Sequence, residues 1–254
     1  MLDEFLTLGD GTRLHYCHRS PAANSGQPTV LFCPGFRSIS TGIKGQFLAK
    51  MTAAEGLGFA SLDYRGHGTS SGRIQDGTVG AWLLDLLNVI DRVTKGPLIL
   101  VGSSMGGWLA VLAARDRPER VMGLIGVAAA PDFTEDLLAA KMDEAAQAAM
   151  ALDGIWYRPS DYDDEPDPIS KSLIDEGRKH MVLRSPVEII APVRLLHGVA
   201  DPDVPWQQSE RLMRALAGGD VRLTLIKDGD HRLSRPEDLA LLADAVRELA
   251  ARGR

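Results

Sequence analysis

Apolar runs of strand length alternate with amphipathic stretches along most of the chain. Thr29-Val30-Leu31-Phe32-Cys33, Leu57 to Leu62, Pro97-Leu98-Ile99-Leu100-Val101 and Val121 to Val127 carry little or no polar face, and Val193 to His197 and Val221 to Ile226 are further runs of strand length. Such runs predict strands of a parallel sheet covered by helices on both sides. Between them, residues 43 to 55 place Ile43, Phe47, Leu48, Met51 and Ala54 at helical spacing and stop at Gly56. Val79 to Val93 sets Trp82, Leu83, Leu86, Leu87, Ile90 and Val93 on one stripe, and further helices are predicted over Gly107 to Ala114, Trp206 to Ala217 and Pro236 to Arg252. Residues 4 to 8 and 12 to 18, joined by Gly9-Asp10-Gly11, predict an antiparallel hairpin at the sheet edge.

This alternation predicts an α/β fold with a mostly parallel, doubly wound sheet and right-handed crossovers. It is interrupted between Phe133 and Pro186. There one helix is predicted over Glu135 to Ala151, an acidic segment punctuated by Pro159, Pro166 and Pro168 follows, and a second helix is predicted over Ile169 to His180. With no sheet strand of its own, the stretch 133–186 reads as a helical lid insertion over the strand ends, inside a single domain spanning 1–254. Met142, Met150, Trp156, Tyr157 and Met181 give it more apolar material than a solvated loop requires.

Composition narrows the partners. A chain of 254 residues, 44% hydrophobic and 24% charged, has the size and balance of one globular α/β domain. Its net charge of -6, without any basic stripe, excludes a nucleic-acid backbone as the expected partner. No apolar run reaches membrane-spanning length. Met1 to Leu6 has neither the basic and apolar regions of a secretory signal nor the Arg-rich helix of an organellar presequence, so a cytoplasmic location is expected. Cys17 and Cys33 read as buried small hydrophobes, and the histidines are scattered singly, so neither a metal nor another cofactor is expected.

The candidate chemistry begins at Gly102-Ser103-Ser104-Met105-Gly106, a G-x-S-x-G pentapeptide between a predicted strand and a predicted helix. In that context the motif is a nucleophile elbow, with Ser104 exposed at a sharp turn and glycines where backbone segments meet. A serine hydroxyl needs a base and a group that orients the base. His231, in Gly229-Asp230-His231-Arg232 after the last strand, is the candidate base. Asp201, in Gly198-Val199-Ala200-Asp201-Pro202-Asp203, is the candidate acid, with Asp203 as its rival and Asp132, at the end of the preceding strand, as a more distant one. The backbone N–H groups of Met105, after the nucleophile, and Phe36, in Pro34-Gly35-Phe36-Arg37, are candidate oxyanion donors. Phe36 and Arg37 are also candidate substrate contacts. Arg37 suits a carboxylate or sugar hydroxyls on the substrate and equally an ion pair with the acidic insertion. His67 and His197 read as braces of their loops.

Taken together, the elbow GSSMGG, the loop PGF, the loop DYRGHGTSSG, the acid loop HGVADPDVP and the base loop GDHR resemble the α/β-hydrolase superfamily over nearly the whole chain. Within it, Ser103 to Trp108, Val204-Pro205-Trp206 and Asp230-His231-Arg232 resemble the mitochondrial palmitoyl-protein thioesterases that are also mycophenolic acid acyl-glucuronide esterases. The resemblance implies a serine hydrolase of acyl esters or thioesters with a Ser104, Asp201, His231 triad and no cofactor, acting on a small acyl ester or thioester or on an acylated protein. The missing presequence points to a bacterial or processed relative. Two other classes share the scaffold. A peptidase or amidase would use Asp161, Asp163, Asp164 and Glu165 to recognise an amine, and a binding protein would keep the fold without turnover.

Overall fold

The computed structural model describes residues 2–23, 25–160 and 164–252 and lays the apolar runs side by side. In chain order the strands are β1 (Leu2–Thr7), β2 (Arg13–Arg19), β3 (Thr29–Cys33), β4 (Gly58–Leu62), β5 (Leu98–Ser103), β6 (Val121–Val127), β7 (Ile155–Arg158), β8 (Asp167–Ser170), β9 (Val193–Gly198) and β10 (Val221–Ile226). The α-helices are α1 (Ile43–Ala54), α2 (Val79–Arg92), α3 (Met105–Asp116), α4 (Glu144–Leu152), α5 (Lys171–Gly177), α6 (Gln207–Ala215) and α7 (Pro236–Ala251). One eight-stranded sheet runs β1-β2-β4-β3-β5-β6-β9-β10. From β4 to β10 every pairing is parallel, while β1 and β2 form the expected antiparallel edge.

The two-residue period of the strands divides the core. Val30 and Phe32 of β3 and Ile99 and Val101 of β5 face one side, where Leu48 of α1 and Leu242, Val246 and Leu249 of α7 cover them. Leu31, Cys33, Leu98 and Leu100 face the other, against Trp82 and Leu86 of α2, Trp108 and Leu109 of α3, and Leu212 of α6. Because both faces are covered, these strands tolerate no polar alternation, which is why they read as unbroken apolar runs. Cys17 and Cys33 are free and buried, and burial pushes the Cys33 thiol up to about 12, leaving it an inert packing group. No helix among the described residues is long and apolar enough to cross a membrane.

The insertion departs from expectation in two ways. The helix expected over Glu135 to Ala151 breaks into a π-helical turn at Thr134–Leu138, a 3-10 turn at Ala139–Lys141 and then α4. Asp143 causes the restart, since its carboxylate accepts from the Ala146 N–H at 2.8 Å and caps a new helix where the old one would have continued. The second departure is an antiparallel hairpin, β7 against β8, in a stretch expected to hold no strand. Tyr157 pairs with Pro168, a residue that a two-stranded ribbon tolerates because it needs no donor on its open edge. Four-residue strands are too short to show a period, and α5 starts only at Lys171 because the Ser170 hydroxyl caps the Leu173 N–H at 3.1 Å.

The loop after β4 supports the site from behind. Asp63 accepts from the Ser40 N–H at 2.7 Å and pairs with His15 at 3.0 Å, while Arg65 is held in a fork by the buried Asp85. The His67 ring sits edge-on to Phe36, Tyr64 and Trp82, with centroids 5.5–6.0 Å apart. His67 is therefore the brace the sequence suggested, built more from rings than from hydrogen bonds. Its Nδ1 lies 3.3 Å from the Arg65 carbonyl, and its buried Nε2 has no partner among the described residues. Burial pulls its pKa down from the ordinary value to about 4, outweighing the Arg65 carbonyl and the Asp63 charge. Between about pH 4 and 6.5 the unfolded chain thus binds a proton that the folded one refuses, so stability falls as the pH drops through this window. Replacing His67 by Gln should flatten that dependence, shrinking the loss of unfolding free energy between pH 7 and pH 4 by up to about 3 kcal/mol in urea titrations.

Candidate active site

The connection from β5 to α3 holds Ser104 at φ 54 and ψ -122, in the left-handed region that serine avoids. Three backbone hydrogen bonds keep it there. The Ser104 N–H donates to the Val127 carbonyl at 3.0 Å, and its own carbonyl accepts from Gly107 at 2.9 Å and Ala130 at 3.1 Å. The glycines matter through close approach. A Cβ on Gly106 would stand 2.0 Å from the Cys33 carbonyl oxygen, and one on Gly102 would stand 2.3 Å from the Gly106 carbonyl oxygen. Without side chains there, the start of α3 slides against the end of β3 and turns Ser104 outward.

His231 and Asp201 arrive from two loops tied to each other by backbone. Val199 donates to Ile226 at 2.8 Å and Ala200 to Gly229 at 3.1 Å, so the acid and base loops hold a fixed separation. His231 Nε2 lies 3.1 Å from Ser104 Oγ, and Nδ1 lies 2.8 Å from Asp201 Oδ2. A carboxylate cannot donate, so Nδ1–H donates to Asp201 and Nε2 is left to accept the serine proton. Asp201, not Asp203 or Asp132, is the partner of His231. Its Oδ1 accepts the N–H groups of Asp203 and Val204 at 2.9 Å each, and His197 Nε2 approaches Oδ2 at 3.3 Å. Burial alone would raise the Asp201 pKa, but the hydrogen bonds from His197, His231 and Val204 overcome it and hold the carboxyl well below its usual range. His197 is itself fixed, donating to the Val204 carbonyl at 2.9 Å and facing Ser209 Oγ at 2.7 Å, in the supporting role its position suggested.

Asp132 is occupied elsewhere. Buried, with φ 56, it takes the N–H groups of Val182 and Leu183 at 2.7 and 3.0 Å and the Arg184 guanidinium at 3.0 Å, closing the insertion back onto the sheet. Asp201, Asp203 and His231 bring possible metal-ligand atoms within 4.8 Å of one another. Both Asp201 oxygens are already spent on N–H donors, so the cluster is a hydrogen-bond chain rather than a chelate.

The N–H groups of Phe36 and Met105 find no acceptor among the described residues. Both residues line a cavity of about 520 Å³ that opens over Ser104 and His231, a volume typical of small-molecule sites. The Phe36 ring is shared between that cavity and the ring cluster of His67 and Trp82. The insertion contributes Phe133, Leu137, Leu138 and Ile169 to the apolar wall. The apolar residues that drew attention in the sequence do other work, since Met142, Met150 and Trp156 pack on the core and Tyr157 is exposed. Arg37 is engaged with the insertion. Its Nη1 donates to the Glu165 carbonyl at 2.7 Å and to Asp167 Oδ1 at 3.1 Å. Asp164 and Glu165 are exposed and do not line the cavity, and Asp161 and Asp163 lie outside the described residues.

Two lining features escaped the sequence reading. Lys44 of α1 reaches the Arg232 carbonyl and Ser234 Oγ beside the base, and burial pulls its amine down to about 8 against the opposing pull of Asp230. Arg158 and Asp167 face each other across the hairpin, joined at 2.6 Å. Neither had a local signal, because Lys44 meets the base loop, and Asp167 the Phe36 loop, across more than a hundred positions of sequence.

Comparison with known proteins agrees with the architecture. Residues 30–244 match the model of the alpha/beta hydrolase family. Mouse mitochondrial palmitoyl-protein thioesterase ABHD10 is 40% identical over 223 residues, covering 87% of this chain and 75% of that protein. The human protein of the same name is 37% identical over 226 residues, covering 87% and 72%. Among solved structures, one from Agrobacterium vitis S4 superposes with a TM-score of 0.94 at 37% identity over 98% of both chains. Mouse ABHD10 superposes at 0.90 with 37% identity over 99% of both. With the family model spanning most of the chain, and relatives at this identity sharing both sequence and sheet, the chain belongs to the alpha/beta hydrolase family and is a hydrolase.

Proposed function

We propose that this hydrolase cleaves carboxylic acyl esters or thioesters through an acyl-enzyme on Ser104. The observation that carries the reading is the unbroken chain from Ser104 Oγ through His231 to the buried Asp201, at 3.1 and 2.8 Å, mounted on a strained turn. His231 Nε2 takes the serine proton as Oγ attacks the acyl carbon, and the low-lying Asp201 carboxylate stabilises the imidazolium that forms. The N–H groups of Phe36 and Met105 stabilise the oxyanion, Met105 doing so at the start of α3 where the helix dipole adds to its effect. His231 then gives its proton to the departing alcohol or thiol. Water, deprotonated by the same nitrogen, releases the acid and restores Ser104.

The apolar wall of Phe133, Leu137, Leu138 and Ile169 fits the acyl chain. The polar side, with Ser38, Lys44, Arg232 and Ser234, fits the leaving group. Thioesters enter the reading because the similar mouse and human proteins bear the name palmitoyl-protein thioesterase. The thiol of an acylated protein is one leaving group that this name suggests. The hairpin's Asp167, the acid that the insertion brings to the cavity, is paired with two arginines, which tells against its recognising an amine.

Ser104→Ala should abolish labelling by a fluorophosphonate probe and lower kcat by on the order of 10⁴ or more, and Asp201→Asn should lower kcat by about 10³–10⁴. A Ser104→Ala variant that is still labelled or still turns over would sink the reading. Across p-nitrophenyl esters and matched thioesters, kcat/KM should rise by about fourfold per added CH₂ until the apolar wall is filled. A preference confined to acetyl would overturn the assignment of that wall to the acyl chain.

A further inference from the structure

We propose that Asp167 is a positioning residue for the reaction, acting through Arg37 to set the N–H of Phe36. The inference rests on the reading of Phe36 as an oxyanion donor and extends it to the insertion. Gly35, Phe36, Arg37 and Ser38 form a tight turn closed by the Ser38 N–H on the Gly35 carbonyl at 3.1 Å. Its third residue, Arg37, has φ 55, where such turns favour glycine or asparagine. An arginine there costs backbone strain, which the contacts of its side chain must offset.

It is held from the far side of the cavity. The Arg37 guanidinium bonds the Glu165 carbonyl at 2.7 Å and Asp167 Oδ1 at 3.1 Å. Asp167 is buried, and its other oxygen takes Arg158 of the facing strand at 2.6 Å. One carboxylate between two guanidinium groups cannot drift toward either without losing a charge-assisted bond to the other. Asp167 thus pins the hairpin to the residue directly after Phe36, across a break of 130 positions in sequence. The Phe36 N–H and the Gly35 carbonyl belong to one peptide, and that carbonyl is held by the Ser38 N–H just beyond Arg37, so a shift of Arg37 is passed through the turn to the donor. Oxyanion stabilisation depends on donor placement to a few tenths of an ångström, so the tether acts on kcat even for substrates that never touch the hairpin.

The test uses p-nitrophenyl acetate, whose two-carbon acyl group buries the least apolar surface, beside a longer ester. Asp167→Asn should lower kcat on both by roughly tenfold with KM on acetate nearly unchanged. Arg37→Asn, a side chain that tolerates the left-handed turn position, should do the same and decides alone if Asp167→Asn does not fold. The double variant should be no slower than the slower single one, since both cut the same tether, and Arg37→Lys should recover part of the loss. Full acetate turnover in folded Asp167→Asn or Arg37→Asn, with loss confined to the longer ester, would reduce Asp167 to a wall of the acyl site. Additive losses in the double variant would likewise overturn the proposal. Ser104→Ala separates the two readings: if it abolishes turnover while the tether variants keep acetate kcat, only the positioning role fails, and if it retains turnover, both fail.

Discussion

Holding Ser104 in the left-handed region costs about 1–3 kcal/mol, and a conformation of that kind persists only where its surroundings over-determine it. Here they do. The Ser104 peptide is bonded to Val127 and Ala130 from the neighbouring strand end, and the start of α3 is pressed against β3 at Gly106. The same contacts that store the strain aim the hydroxyl at His231. Every other described non-glycine residue with positive φ, Arg37, Ala128, Asp132 and Leu233, lies in a loop at this end of the sheet. Strain in this molecule is concentrated where side chains must converge on one cavity.

Buried carboxylates do the complementary work. Asp201, Asp132 and Asp167 are each cut off from water, and each is compensated by a different set of donors. Asp201 takes two histidines and two backbone N–H groups, which keeps it ionised beside the base. Asp132 takes two backbone N–H groups and Arg184, which ties the insertion to β6. Asp167 takes two arginines and ties the insertion to the Phe36 loop. Removing one donor from such a group leaves a charge without solvation, so each carboxylate locks the segments that feed it. The insertion is thus anchored by ion pairs at Arg184 near its end and at Asp167 in its hairpin, and by apolar contacts of Leu138, Ile169 and Leu173 with the core.

The sheet was legible because its physics is local. Parallel strands covered on both faces must be apolar throughout, and β3 and β6 lie where the apolar runs put them. The helices α1, α2 and α7 declared themselves by period, and α3, buried on every side, by its place after the elbow. The positions of Ser104, Asp201 and His231 were legible too, since each sits in a short loop following a recognisable strand. The insertion was less so. Its helix boundaries turn on the caps of Asp143 and Ser170, and its hairpin strands are too short for a two-residue period to declare itself.

Sequence alone therefore determined which loops meet above the sheet and which chemical groups they carry, because hydrophobic period and turn composition are properties of adjacent residues. Only the tertiary structure decided among Asp201, Asp203 and Asp132 as the partner of His231. It also turned Arg37 toward Asp167 and set Lys44 beside the base loop. Those choices depend on distances of about three ångströms between residues far apart in the chain, and they exist only once the apolar faces have closed on each other.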